Sequence, residues 1–110
     1  MTEQTAFQSL PLREELLSAM RVIGFSTMTS VQQRAIPIAL SGKDVIAKAS
    51  TGSGKTLAFG LPILQQLDAT QRAPSSIVLC PTRELAEQVA EQLRDAAKHL
   101  ANTKILTLCG

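Results

Sequence analysis

The chain carries the stretch Ala49-Ser50-Thr51-Gly52-Ser53-Gly54-Lys55-Thr56. It matches the phosphate-binding loop pattern, with Ala49 where the first glycine usually stands. Small residues let the backbone wrap around a phosphate, so that amide groups and a helix N-terminus point at the anion. The pattern predicts that Ala49 to Thr56 bind the phosphates of a nucleotide, with Lys55 placing charge at the β- and γ-phosphates and Thr56 offering a hydroxyl to Mg²⁺.

The sequence on either side distinguishes this loop from a chance glycine-rich turn. Residues 44–49 (DVIAKA) predict a short buried strand that ends at the loop. Residues 55–67 predict a helix that starts from it, and Gly60 and Pro62 inside that helix predict a kink. A strand, a loop and then a helix is the arrangement that aims backbone amides at a phosphate, so the context favours a nucleotide site.

Helix and strand patterns alternate along the rest of the chain. Apolar spacing predicts three more helices: residues 11–23, ending at Gly24; a helix capped by Thr29 that Pro37 interrupts or ends after Ile36; and residues 83–100. Two further buried strands are predicted at 75–80 (SSIVLC) and 103–109 (TKILTLC). This alternation predicts an α/β fold, a parallel sheet with helices on both faces. We divide it into a helical segment, 1–41, and a sheet-forming part, 42–110.

Composition sets broad limits. The 110 residues are 45% hydrophobic and 18% charged, which suits one globular domain at most, and the net charge of +2 neither requires nor excludes nucleic acid. No apolar run approaches the roughly 20 residues of a membrane span, so a soluble, cytoplasmic protein is expected. Cys80 and Cys109 show no metal or disulfide spacing and predict buried free thiols, and His99 predicts a solvated residue near a helix C-terminus.

Two further motifs connect the loop to a family. Upstream stands Gly24-Phe25-Ser26-Thr27-Met28-Thr29-Ser30-Val31-Gln32, with an isolated Phe7 before it. Downstream stands Pro81-Thr82-Arg83-Glu84-Leu85-Ala86. In this order the three motifs resemble the Q motif, the phosphate loop and motif Ia of DEAD-box ATP-dependent RNA helicases. The resemblance implies part of a first RecA-like domain that ends before the DEAD sequence, and the last stretch resembles the bacterial DbpA subgroup.

The Q-motif resemblance assigns roles at the base of ATP. A glutamine amide offers one acceptor and two donors, so Gln32 can pair with N6 and N7 of adenine and select ATP over GTP. Phe25 is expected to stack on the base, while Phe7 packs behind the motif. The alternatives are a solvated Gln32 and core roles for both phenylalanines. Met28 and Ser30 stand where the family usually has proline, which predicts a less rigid backbone before Gln32.

Motif Ia implies contact with RNA. Pro81, Thr82, Arg83 and Glu84 lie where a strand ends and a helix begins, so amides, a hydroxyl and a guanidinium can receive a backbone phosphate. The alternative is a plain helix cap by Thr82 and a solvated arginine. Gly110 resembles the first glycine of another phosphate-binding element of the family.

The resemblance implies an enzyme that unwinds or remodels structured RNA, ribosomal RNA in ribosome assembly by the DbpA likeness, and acts as a monomer. Because the DEAD sequence is not among these residues, the chain alone is expected to be inactive. Two alternatives stay open. One is a different phosphate-loop NTPase; the other is a catalytically inactive fragment that binds RNA or nucleotide.

Overall fold

A computed structural model describes residues 6–48, 54–68, 70 and 73–108. Within these ranges it contains a short 3-10 helix, Phe7–Ser9, and four α-helices. The α-helices are α1 (Glu14–Ile23), α2 (Ser30–Leu40), α3 (Lys55–Gln65) and α4 (Arg83–Ala96). Ala49 to Ser53, Cys109 and Gly110, for which the sequence predicts roles, lie outside the described residues.

Helix α1 ends where the sequence predicted and begins later. Gly24 adopts the left-handed conformation, with φ of 102°, and its amide donates to the Met20 carbonyl at 3.0 Å, which confirms it as the C-terminal stop. The helix begins at Glu14 rather than Pro11 because the Leu12 amide bonds back to the Leu10 carbonyl at 2.8 Å. The buried face of α1 includes Leu16, Ala19 and Met20.

Helix α2 confirms the predicted cap and corrects the predicted end. Thr29 and Gln32 form a reciprocal capping box, in which each side chain bonds the other residue's backbone amide. The expectation that Pro37 interrupts or ends the helix is wrong, because the helix continues through it to Leu40. A proline removes only one hydrogen bond of the ladder, and Pro37 lies on the exposed side of α2, where the chain accommodates its ring.

Helix α3 lies at the centre of the fold and packs against α1, α2 and α4. Its buried face includes Leu57, Leu61 and Leu64, and Leu61 is fully buried. Gly60 lets α4 approach closely: a Cβ atom added there would lie 2.4 Å from Cδ2 of Leu93. The sequence predicted a kink at Gly60 and Pro62. The structure has one helix from Lys55 to Gln65 that includes both residues, and Gly60 is its packing contact with Leu93 of α4.

Helix α4 is shorter than predicted. It ends at Ala96 rather than Leu100, and the chain then turns so that the Leu100 amide donates to the Ala97 carbonyl at 2.9 Å. Ala97 and Leu100 remain buried, as the apolar pattern indicated. Leu85 belongs to the apolar side of the pattern and is instead 42% exposed.

The three predicted strands are not strands in the described structure. Residues 44–48, 75–80 and 103–108 have no ladder pairing in the part of the chain that the structure describes. Their apolar side chains are largely uncovered, with Ile46 at 95%, Leu79 at 90% and Leu108 at 94% exposure, so the prediction of burial is also wrong here. A parallel strand needs neighbouring strands on its edges and covering layers on both faces. In the described structure these three segments pair with no neighbouring strand, and the helices leave their apolar side chains largely exposed.

The remaining expectations concern single residues and the membrane. Cys80 is a free thiol, as predicted, but it is half-buried rather than buried. His99 is exposed, as predicted. No group of residues suited to a metal ion occurs among those described. Across the same ranges, no helix is both long and apolar enough to cross a membrane.

Candidate nucleotide-binding site

The side chain of Gln32 joins the Q-like segment to the end of the phosphate-like loop. It is buried, with 3% exposure, and its Nε2 donates to the carbonyl of Gly54 at 3.1 Å. Its Oε1 accepts from the Thr29 amide at 2.8 Å, which closes the capping box. The alternative of a solvated Gln32 is therefore wrong, and two motifs that are far apart in sequence meet at this side chain.

These two contacts do not exhaust the amide of Gln32. An amide side chain has two donor hydrogens and an oxygen with two lone pairs. Among the described residues, Gly54 takes one hydrogen and Thr29 one lone pair. One donor and one acceptor remain, which is the pair that the N7 and N6 positions of adenine require.

Gly54 forms the junction between the loop and α3. It is the N-cap of α3 in the left-handed conformation, with φ of 85°. A Cβ atom there would lie 2.3 Å from Nε2 of Gln32 and 3.1 Å from Oγ1 of Thr29. Glycine is therefore required twice at this position, once by the backbone angle and once by the approach of α2.

Lys55 and Thr56 occupy the first turn of α3. The Lys55 side chain is exposed and Thr56 is half-buried. Amides of a first helical turn have no partner within the helix, and the helix dipole adds positive potential at the same end. The described part of the predicted loop thus presents a cation, a hydroxyl and amide donors together. The rest of it, Ala49 to Ser53, lies outside the described residues.

The two phenylalanines divide as predicted into a buried and an exposed ring. Phe7 is 1% exposed and belongs to the core, which confirms its packing role. Phe25 is 45% exposed, and its ring centroid lies 6.3 Å from that of Phe7 with the planes inclined at 36°. Phe25 therefore has an accessible ring surface that is supported from behind by a buried neighbour.

Hydrogen bonds hold the loop between α1 and α2 in place. A less rigid backbone was predicted there, because Met28 and Ser30 stand where the family usually has proline. The Phe7 amide donates to the Ser26 carbonyl at 3.0 Å, and Ala6 and Thr27 form an antiparallel bridge. Gln33 Nε2 also donates to the carbonyl of Met28, at 3.1 Å. Nothing in the residue pattern signalled the contribution of Gln33, because a side-chain bond to the backbone of a loop has no sequence signature.

The motif Ia residues lie at the start of α4. Thr82 is the N-cap, and its Oγ1 accepts from the Leu85 amide at 3.1 Å. The alternative that Thr82 caps the helix is therefore correct. That contact uses a lone pair of the hydroxyl and not its proton, so capping and phosphate binding are compatible. Pro81, Arg83 and Glu84 are exposed beside it.

The structure adds one contact set that the sequence did not indicate. The backbone amide of Arg13 donates to Oε1 of Gln65 at 2.7 Å, and Nη1 of Arg13 donates to the Leu67 carbonyl at 3.3 Å. A salt bridge of 3.7 Å to Glu15 completes the surroundings of the guanidinium. These contacts tie the start of α1 to the end of α3.

Known proteins resemble this chain over nearly all of its length. The profile of the DEAD/DEAH box helicase family matches residues 29–110. The ATP-dependent RNA helicase DbpA of Escherichia coli is 56% identical over 96% of this chain, which spans 23% of that protein. The ATP-dependent RNA helicase DeaD of the same organism is 45% identical over 97% of this chain and 17% of its own length. The chain therefore spans about a quarter or less of these relatives.

Solved structures agree with the sequence relatives. A DEAD box protein from Methanococcus jannaschii has a TM-score of 0.79 and 36% identity, covering 84% of this chain and 25% of that one. Prp28 from Chaetomium thermophilum bound to ADP has a TM-score of 0.80 and 37% identity, covering 90% of this chain and 25% of that one. These neighbours confirm the α/β, RecA-like fold class, even though the described residues alone form no sheet. On its sequence motifs, its fold and the family profile, the chain belongs to the DEAD/DEAH box helicase family.

Proposed function

We propose that this chain is the ATP-binding front part of an ATP-dependent RNA helicase, and that the whole protein uses ATP to unwind or remodel structured RNA. The observation that carries the proposal is the pair of hydrogen bonds of the Gln32 side chain, which accepts from the Thr29 amide and donates to the Gly54 carbonyl. These bonds hold the Gln32 amide, which would bind adenine, next to the N-terminus of α3, which would bind the phosphates. One similar structure is that of Prp28 bound to ADP, an adenine nucleotide like the one proposed here.

The residues have complementary tasks in binding ATP. Phe25 offers its exposed ring to a face of adenine, and Gln32 offers its remaining donor and acceptor to the edge of the same base. The amides of the loop Ala49 to Gly54 and the charge of Lys55 bind the phosphates. Mg²⁺, bound with ATP, neutralises phosphate charge, and the half-buried hydroxyl of Thr56 is a hard oxygen ligand that suits it.

RNA contact is assigned to the start of α4. Thr82 keeps its hydroxyl proton for an acceptor, Arg83 carries charge, and the exposed helix N-terminus attracts an anion. Pro81 and Glu84 complete the motif, and Gly110 would add a further backbone contact. Ribosomal RNA is the proposed target and the cytoplasm the proposed location, on the likeness to the DbpA subgroup.

The test uses a chimaera in which this chain replaces the matching 23% of E. coli DbpA. We expect ATP hydrolysis that rises on addition of structured RNA and is slower with GTP. ATP hydrolysis without any RNA response would favour another kind of phosphate-loop NTPase. RNA binding without hydrolysis, in a chimaera whose remaining parts are intact, would favour a non-catalytic binding module.

A further inference from the structure

Hydrogen bonds hold both ends of α3, one to the start of α2 and one to the start of α1. At one end, Gln32, at the start of α2, bonds the carbonyl of Gly54, the N-cap of α3. At the other end, Arg13, the N-cap of α1, bonds Gln65 in the last turn of α3. The short loop from α1 into α2 leads directly to the first contact. The Gln32 contact therefore fixes the start of α3 against α2, and the Arg13 contact fixes the end of α3 against the start of α1.

This arrangement links the two parts of the proposed ATP site. Phe25 follows the C-terminal end of α1, and Lys55 begins α3. If α3 shifts along its axis relative to α1, the distance between the stacking ring and the phosphate charge changes. Shifts of about 1 Å at a binding constellation can cost on the order of 100-fold in function. The contact between Arg13 and Gln65 opposes such a shift, although it lies at the far end of α3.

We propose that Gln65 is a positioning residue for nucleotide binding, which holds α3 in register with α1 so that one ATP molecule reaches both Phe25 and Lys55. This inference rests on the proposed function. Gln65 itself is remote from the nucleotide and touches neither the base nor the phosphates. Its bond to the Arg13 amide, 2.7 Å long and partly buried, together with the 3.3 Å bond from the Arg13 guanidinium to Leu67, provides the hold.

Three variants separate this role from general stabilisation. Gln65→Leu keeps an aliphatic side chain one atom shorter than glutamine and removes the acceptor of the Arg13 amide. Gln65→Glu keeps an oxygen at the same place, and its charge suits the neighbouring guanidinium, so it should restore the contact. Gln66→Leu is the matched control, because Gln66 is exposed and makes no side-chain hydrogen bond to the described residues.

The experiment titrates the chimaera with ATP, with AMP, which reaches only the base end, and with tripolyphosphate, which reaches only the phosphate end. Calorimetry gives the dissociation constants. In Gln65→Leu we expect ATP to bind about ten-fold more weakly, while AMP and tripolyphosphate each change by less than about two-fold. Gln65→Glu and Gln66→Leu should both stay within about two-fold of the parent for all three ligands.

Two results would overturn the inference while leaving the proposed function intact. One is unchanged ATP affinity in Gln65→Leu. The other is equal weakening of ATP, AMP and tripolyphosphate, which would mean that the variant only damages the fold. If the unmodified chimaera binds no ATP at all, the proposed function itself fails, and that result is distinct from both.

Discussion

Substituting Gly54 by alanine tests the contact on which the candidate site depends. The residue has φ of 85°, and a new methyl group would lie 2.3 Å from Nε2 of Gln32. A non-glycine residue in the left-handed region costs about 1–2 kcal/mol. The Gln32 side chain must also move, which breaks its bond to the Gly54 carbonyl at a cost of about 0.5–1.5 kcal/mol. We expect a total loss of about 1.5–3.5 kcal/mol in the free energy of unfolding.

Gly42 provides the control for the backbone part of this cost. Its φ is 88°, and an added Cβ would meet nothing within 4 Å. Gly42→Ala should therefore cost only the strain of about 1–2 kcal/mol. The difference between the two variants measures the displacement of Gln32.

A double mutant makes the reasoning refutable. In a Gln32→Ala background the obstruction is gone, so adding Gly54→Ala should cost about as much as Gly42→Ala, apart from the milder approach to Oγ1 of Thr29 at 3.1 Å. Urea unfolding of the chimaera gives these free energies, provided that the slope with denaturant stays the same in every variant. If Gly54→Ala costs the same with and without the Gln32 side chain, that side chain does not lie against Gly54 as described.

Further predictions concern binding, packing and catalysis. Lys55→Ala in the chimaera should abolish most ATP turnover, because the phosphates lose their charge partner; unchanged ATPase kinetics would remove the loop assignment. Gln32→Ala should lower the preference for ATP over GTP in competition binding, and an equal preference before and after would place the base elsewhere. Gly60→Ala should lower the free energy of unfolding by about 1–2 kcal/mol, because overpacking against Leu93 outweighs the gain in helix propensity. In a Leu93→Ala background the same substitution should raise the free energy of unfolding, and the urea midpoints of the variants test both expectations. The 110-residue chain alone should show only background ATPase activity with RNA present, because it contains no Asp-Glu-Ala-Asp sequence to hold Mg²⁺ and position water; RNA-stimulated turnover by the chain would contradict this.

Local signals in the sequence were sufficient for several elements. The left-handed stop at Gly24 and the cap at Thr29 each depend on one residue and its immediate neighbours, so the pattern predicted them correctly. The cap at Thr82 is just as local, and the sequence indicated it as the alternative to RNA contact. The phosphate-loop pattern is equally local, and it correctly predicted that Lys55 and Thr56 begin a helix. Pro37 was misjudged because its effect depends on which side of α2 faces solvent.

Tertiary structure decided what no local pattern can contain. The Gln32 side-chain amide donates a hydrogen bond to the Gly54 carbonyl, and the Arg13 backbone amide donates one to the Gln65 side chain. Each bond joins two separate helices, and how closely those helices approach depends on the packing of the whole core. The side chains of Ile46, Leu79 and Leu108 are exposed although their apolar character predicted burial, so burial too depends on the tertiary structure. By itself the sequence determined that these segments are rich in apolar residues. Whether an apolar segment becomes a buried strand depends on neighbouring strands and covering layers, because a strand, unlike a helix, cannot satisfy its own backbone hydrogen bonds.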